Sequence, residues 1–187
     1  KTHSQLAEYD GVPLINPAVT AGAIYILRDP RDMVISYAAH FGISLDEAID
    51  LIAQDQNMTT AGDFEMSTIL GRWDRHVDSW TNQNVIPVCT VRYEDLHRDT
   101  QKVFGSILKT LGIPVSVDRL AKAVRNSAFE TLSREESSDG FIERPPHMER
   151  FFRSGKPGGG ETGLTAAQRT RIETDHAAVM QRFGYLP

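Results

Sequence analysis

The run Ala23-Ile24-Tyr25-Ile26-Leu27, closed at once by Arg28-Asp29-Pro30, constrains this chain more than any other stretch. A short continuous apolar run suits a strand buried on both faces, as in a parallel sheet. Proline is comfortable at the first position of a helix. The corner therefore predicts a helix from Pro30 to about His40, burying Met33, Val34 and Tyr37. A second apolar run, Ile86 to Val91, leads into Tyr93-Glu94-Asp95-Leu96. Strand then helices, twice over, indicates an α/β fold with a parallel sheet. Ligands of such sheets bind outside the carboxyl ends of the strands, and Arg28 and Tyr93 both stand at those ends.

Other signals fill in the helices. Ser44-Leu45-Asp46-Glu47 is a capping box that opens a helix to about Gln54. Residues 55–63 read as a polar loop. Ile69, Trp73, Val77 and Trp80 recur as one amphipathic face, with the tryptophans in the core. A helix over 99–111 buries Val103, Ile107, Leu108 and Leu111 and stops at Gly112, and shorter ones follow over 117–125 and 127–134. Residues 135–163, rich in Gly, Pro and charge, read as a long functional or mobile loop. Thr165-Ala166-Ala167-Gln168 caps a last helix to about Phe183. No internal repeat or second domain is visible, and 187 residues suit one domain with a real core.

A formal charge of -5 argues against general nucleic-acid binding, which needs clustered Lys and Arg, but leaves room for one anion in a locally basic pocket. Cys89 is the only cysteine. It forms no internal disulfide, which fits a reducing, cytoplasmic setting, and its apolar surroundings predict a buried structural thiol. No stretch approaches the ~20 apolar residues of a membrane span. The sequence opens on Lys1-Thr2-His3 without Met, so a start inside a larger protein is expected.

Four clusters could carry chemistry. In Lys1-Thr2-His3, an extended backbone would point Lys1 and His3 to the same side, a base beside a cation. From Arg28 to Ser36, a strand end, a turn and a helix start would offer backbone amides, a bidentate arginine and a hydroxyl to an anion. Alternatively, Arg28 and Arg31 pair with Asp29 and Asp32 as surface salt bridges. Tyr93 could contact a base or ribose, or pack with its hydroxyl satisfied. Phe151-Phe152-Arg153-Ser154-Gly155-Lys156-Pro157-Gly158-Gly159-Gly160 joins two cations to backbone able to approach a ligand, or is only a flexible linker. No His/Cys cluster has metal-ligand spacing, so no metal is expected.

In this order the clusters resemble the cytosolic-type sulfotransferase family across essentially the whole chain. The resemblance implies a three-layer, P-loop-NTPase-like parallel sheet flanked by helices. It implies transfer of a sulfuryl group from PAPS (3′-phosphoadenosine 5′-phosphosulfate) to a hydroxyl or amine of a small-molecule acceptor, leaving PAP. It makes His3 the catalytic base and Lys1 its aid. It gives Arg28 and Ser36 to the 3′-phosphate, Tyr93 and the Ser127-Ala128-Phe129 segment to the adenine, and Arg153, Ser154 and Gly155 to a segment closing over the 3′-phosphate. Three departures stand out. The family's phosphosulfate-gripping Pro-Lys-Ser-Gly-Thr-Thr-Trp loop is not in the sequence and would lie upstream of Lys1. Ser154 replaces a lysine. Gly158-Gly159-Gly160-Glu161 replaces Gly-Asp-Trp-Lys.

Two rivals stay open: a nucleotide-dependent kinase on a similar scaffold, and a non-catalytic PAP-binding module. The acceptor is not legible, although residues 41–70 and 135–150 should border its pocket. A homodimer is compatible with the reading.

Overall fold

The computed structural model describes residues 1–59 and 67–187. Its organising pair is β3 (Ala23–Leu27) and β6 (Val88–Arg92), which run parallel with Ala23 opposite Val88 and Leu27 opposite Arg92. There are also two short antiparallel ribbons: β1 (Glu8–Tyr9) with β2 (Val12–Pro13), and β4 (Met58–Thr59) with β5 (Thr68–Ile69). The helices are α1 (Pro30–Phe41), α2 (Leu45–Ile52), α3 (Trp73–Thr81), α4 (Tyr93–Arg98), α5 (Thr100–Thr110), α6 (Val117–Asn126), α7 (Phe129–Asp139), α8 (Gly159–Gly163), α9 (Ala166–Asp175) and α10 (Ala177–Arg182). The chain is thus α/β with a parallel sheet and flanking helices.

Local chemistry explains the boundaries. Pro30 starts α1, Asp29 caps it by accepting from the Arg31 amide, and Gly42 ends it in the left-handed conformation. Both expected capping boxes are present, Ser44 with Glu47 and Thr165 with Gln168. The core gathers Leu27, Val34, Ala38, Ile49, Trp73, Val77, Ile172 and Met180. Trp80 lies with it at 5% exposure, so both tryptophans are core residues.

Several expectations need correction. β3 is not buried on both faces: Ile24 and Ile26 are 42% and 58% exposed. Among the described residues β3 pairs only with β6, and α3 and α5 pack against β6. Cys89, on β6, is only half-buried. Ile69 belongs to β5 rather than to the helix of Trp73. Leu111 falls past the end of α5 and is 46% exposed. The expected loop from 135 is shortened because α7 runs to Asp139 and α8 occupies 159–163. The last helix breaks at His176, which is at once the C-cap of α9 and the N-cap of α10. Of the expected loop at 55–63, residues 60–63 lie outside the described residues.

Candidate active site

Parallel pairing in this register makes β3 and β6 end flush, so their next residues emerge side by side. The Arg28 guanidinium lies 4.6 Å from the centre of the Tyr93 ring. Its Nη1 donates to Ser36 Oγ at 3.3 Å, while its Nη2 stands 3.9 Å from Asp32. Its Nε is buried without a hydrogen-bond partner.

Arg31 behaves differently. It pairs with Asp29 at 2.7 Å and with Glu173 at 2.7 Å, and it donates to the Tyr185 carbonyl. Bonding to Asp29 outweighs burial and strengthens its hold on its proton. The salt-bridge alternative therefore holds for Arg31, a cation tying α1 to α9, and in part for Arg28, whose 3.9 Å pairing with Asp32 leaves donors to spare. The expected backbone anion site at this corner is otherwise engaged. The Asp29 carboxylate takes the Arg31 amide at 2.9 Å, and the Asp29 amide donates to Glu94 at 3.0 Å. What remains for an anion is side-chain chemistry.

The glycine-rich segment is fastened over this corner by two buried carboxylates that sequence reasoning missed. Asp32 accepts from the amides of Gly158 at 2.6 Å and Gly160 at 2.7 Å. Glu136, on α7, accepts from the amides of Phe151 at 2.6 Å and Phe152 at 3.0 Å. Burial opposes the Glu136 charge, but those amides, with Arg144 and Arg150, hold its carboxyl below the usual range. Asp32 had a signal in the sequence, since it stands four residues after Arg28 and four before Ser36, one turn away from it on α1. Nothing local connects Glu136 to residues fifteen positions away.

Held at both ends, the segment brings Arg153 to α1, where its Nη2 donates to the Ile35 carbonyl at 3.3 Å, one residue from Ser36. The Tyr93 hydroxyl donates to the Gly155 carbonyl at 3.1 Å, so it is satisfied and positions the loop. Gly155 has φ +60°, and any side chain there would run into the Phe129 ring. Phe129, Arg153, Ser154 and Lys156 line an open groove of about 710 Å³ with Arg134. Ser127 sits two residues before Phe129, exposed, its hydroxyl donating to the Ala123 carbonyl at 3.0 Å. Arg28, Ser36, Tyr93, Phe129, Arg153, Ser154 and Gly155 thus share one region.

His3 and Lys1 stand apart from the groove. Lys1 pairs with Glu143 at 2.6 Å. His3 is solvent-accessible, yet its ring lies near enough to its neighbours that partial burial, then Lys1 and His40, push its pKa down, against Glu143. His40 is one helical turn beyond Ser36 on α1. Asp32, Ser36 and His40 therefore form one stripe that carries, in turn, the loop anchor, the hydroxyl that accepts from Arg28 and the neighbour of His3. An aromatic series of Phe129, Phe152, Phe141 and Phe151, with neighbouring centres 4.7–6.2 Å apart, continues to His40 at 6.4 Å from Phe151.

Among the described residues no group of three or more His, Cys, Asp or Glu could hold a metal ion, and no helix is long and apolar enough to cross a membrane.

The chain is similar to known proteins in sequence and in fold. Sulfotransferase 1A1 of Canis lupus familiaris is 25% identical over 166 residues, 86% of this chain and 55% of that protein. The 3-alpha-hydroxysteroid sulfotransferase of Cavia porcellus is 25% identical over 172 residues, 89% of this chain and 58% of the relative. The chain spans about half the length of the curated relatives it matches. In fold it is similar to mouse sulfotransferase SULT7A1 complexed with PAP, with a TM-score of 0.64 at 22% identity, covering 84% of this chain and 58% of that one. It is also similar to retinol dehydratase in complex with androsterone and inactive cofactor PAP, with a TM-score of 0.63 at 18% identity, covering 84% and 46%. The sulfotransferase domain family matches residues 18–184, and the chain belongs to that family.

Proposed function

We propose that the protein transfers a sulfuryl group from PAPS to a hydroxyl or amine of a small-molecule acceptor. The observation that carries the proposal is the Arg28 corner. Its guanidinium has a buried, unpartnered Nε, lies beside the exposed Ser36 hydroxyl, and is approached by Arg153 from the anchored loop. Arg28, Ser36 and Arg153, with Ser154 and the close backbone at Gly155, would hold the 3′-phosphate. Phe129 and the Tyr93 ring, with Ser127 nearby, would border the adenine.

Transfer is in-line displacement at sulfur. The acceptor oxygen forms a bond to sulfur, the bond from sulfur to the bridging phosphate oxygen breaks, and PAP leaves. His3 takes the acceptor's proton, and its depressed pKa keeps it neutral and ready near pH 7. Lys1 offsets charge on the departing oxygen after exchanging Glu143 for it. The reducing setting suggested by the lone Cys89 supports a cytoplasmic enzyme.

Calorimetric titration tests the seat. PAP should bind much more tightly than adenosine 5′-monophosphate, which lacks the 3′-phosphate. Arg28→Ala should cost PAP ~1.5–3 kcal/mol, one charge-assisted bond, and remove most of that preference. Equal affinities for the two nucleotides in the parent protein would overturn the assignment. His3→Ala should leave PAP affinity within twofold while abolishing turnover in the full protein.

A further inference from the structure

Helix α3 presents Trp73, Val77 and Trp80 to the core, and His76 shares their side of the helix. A hydrophobic ring would fill that place, yet both imidazole nitrogens there have partners. Nδ1 lies 2.8 Å from the Tyr25 hydroxyl on β3, and Nε2 lies 3.0 Å from the backbone carbonyl of His3. A carbonyl can only accept, so Nε2 carries the hydrogen. Nδ1 is then a bare acceptor, and the Tyr25 hydroxyl donates to it. Burial lowers the His76 pKa and raises that of Tyr25, so both stay neutral in these roles.

The same helix fastens the residues that follow. Trp80 Nε1 donates to the Ser4 carbonyl at 3.1 Å, and Ser79 Oγ accepts from the Leu6 amide at 3.0 Å. β5 adds a bond from the Gln5 amide to the Ile69 carbonyl at 2.8 Å. Of these contacts, the one made by His76 falls on His3 itself. We infer that His76, backed by Tyr25, is a positioning residue that fixes the backbone of His3 and so the place from which its imidazole works. The role as base belongs to the proposed function on which this inference rests. The contact itself does not depend on it.

Nitrogen-15 and carbon-13 histidine spectra of the chain test the inference without turnover. His76 should appear as the Nε2–H tautomer in the parent, and an Nδ1–H tautomer overturns the inference directly. In His76→Phe, amide exchange at Gln5 and Leu6 should rise about tenfold, the loss of one hydrogen bond of ordinary net strength. His3 should then titrate closer to 6.5, the ordinary value for histidine. His76→Gln restores an N–H donor and should return both readings to within about twofold of the parent, where a purely space-filling role would favour Phe. Tyr25→Phe, a milder change, should keep the Nε2–H tautomer, because the His3 carbonyl still accepts from it. If Gln behaves like Phe, or if Phe leaves exchange and His3 titration unchanged, the inference fails. PAP affinity, measured alongside, should stay within twofold in every variant. A parent that does not bind PAP would sink the proposed function and leave the tautomer reading standing.

Discussion

Replacing Asp32 by Asn tests whether a buried carboxylate holds the loop that would complete the proposed anion seat. The side chain is 5% exposed and accepts two backbone amides at 2.6 and 2.7 Å, one of them from the buried Gly160. A hydrogen bond to a charged group contributes ~1.5–3 kcal/mol. Asparagine offers a single oxygen, and its NH2 would face the second glycine amide, donor against donor. One charge-assisted bond is lost and the other becomes neutral, for a total of about 3 kcal/mol. In a domain of this size that lowers Tm by roughly 6–12 °C. If the loop instead detaches locally, the loss appears in PAP affinity, up to about 150-fold for the same free energy. Differential scanning fluorimetry and calorimetric titration with PAP read the two outcomes. A variant with Tm within 2 °C and PAP affinity within about twofold of the parent would refute the claim that Asp32 anchors the segment, since the stated bonds carry at least ~1.5 kcal/mol.

Gly155→Ala places a side chain at φ +60° and against Phe129. Backbone strain of ~1–2 kcal/mol plus displacement of the ring should weaken PAP at least tenfold by titration, and an unchanged affinity would remove Phe129 and Gly155 from the nucleotide's surroundings. Glu136 gives a pH signature. Its folded pKa lies below its unfolded one, so its stabilisation is complete above the unfolded value, near 4.5, and is lost as pH falls through the folded value. Glu136→Gln should therefore lower Tm at pH 7, with the gap to the parent closing below pH 4.5, and a gap independent of pH would show that the charge is not what holds Phe151 and Phe152.

What could be read in the sequence was local. The Arg28-Asp29-Pro30 corner and both capping boxes depend on residues within a few positions of each other, and their geometry follows from short-range hydrogen bonding. The candidate residues from Arg28 to Gly155 were also nameable in advance, because motif order carries them. How they meet was not. The flush ends of β3 and β6 depend on strand register, and the loop's position depends on Asp32 and Glu136 bonding to amides 126 and 15 residues away. A continuous apolar run does not say which neighbours will cover it, so the exposure of Ile24 and Ile26 was invisible. His76 carried no signal in the sequence, since its value lies in a carbonyl 73 residues earlier in the chain.

The stripe of Asp32, Ser36 and His40 makes α1 a spacer of fixed length. Each interval is four residues, about 6 Å of rise, and the rod is stiff. The loop anchor, the Ser36 hydroxyl and the neighbour of His3 are in effect indexed to one ruler, about 12 Å from end to end. A single residue inserted between Ser36 and His40 would swing the far mark about 100° around the axis and put the two out of step. Segments outside the helix, such as 140–150, can lengthen or shorten while the ruler stays unaltered.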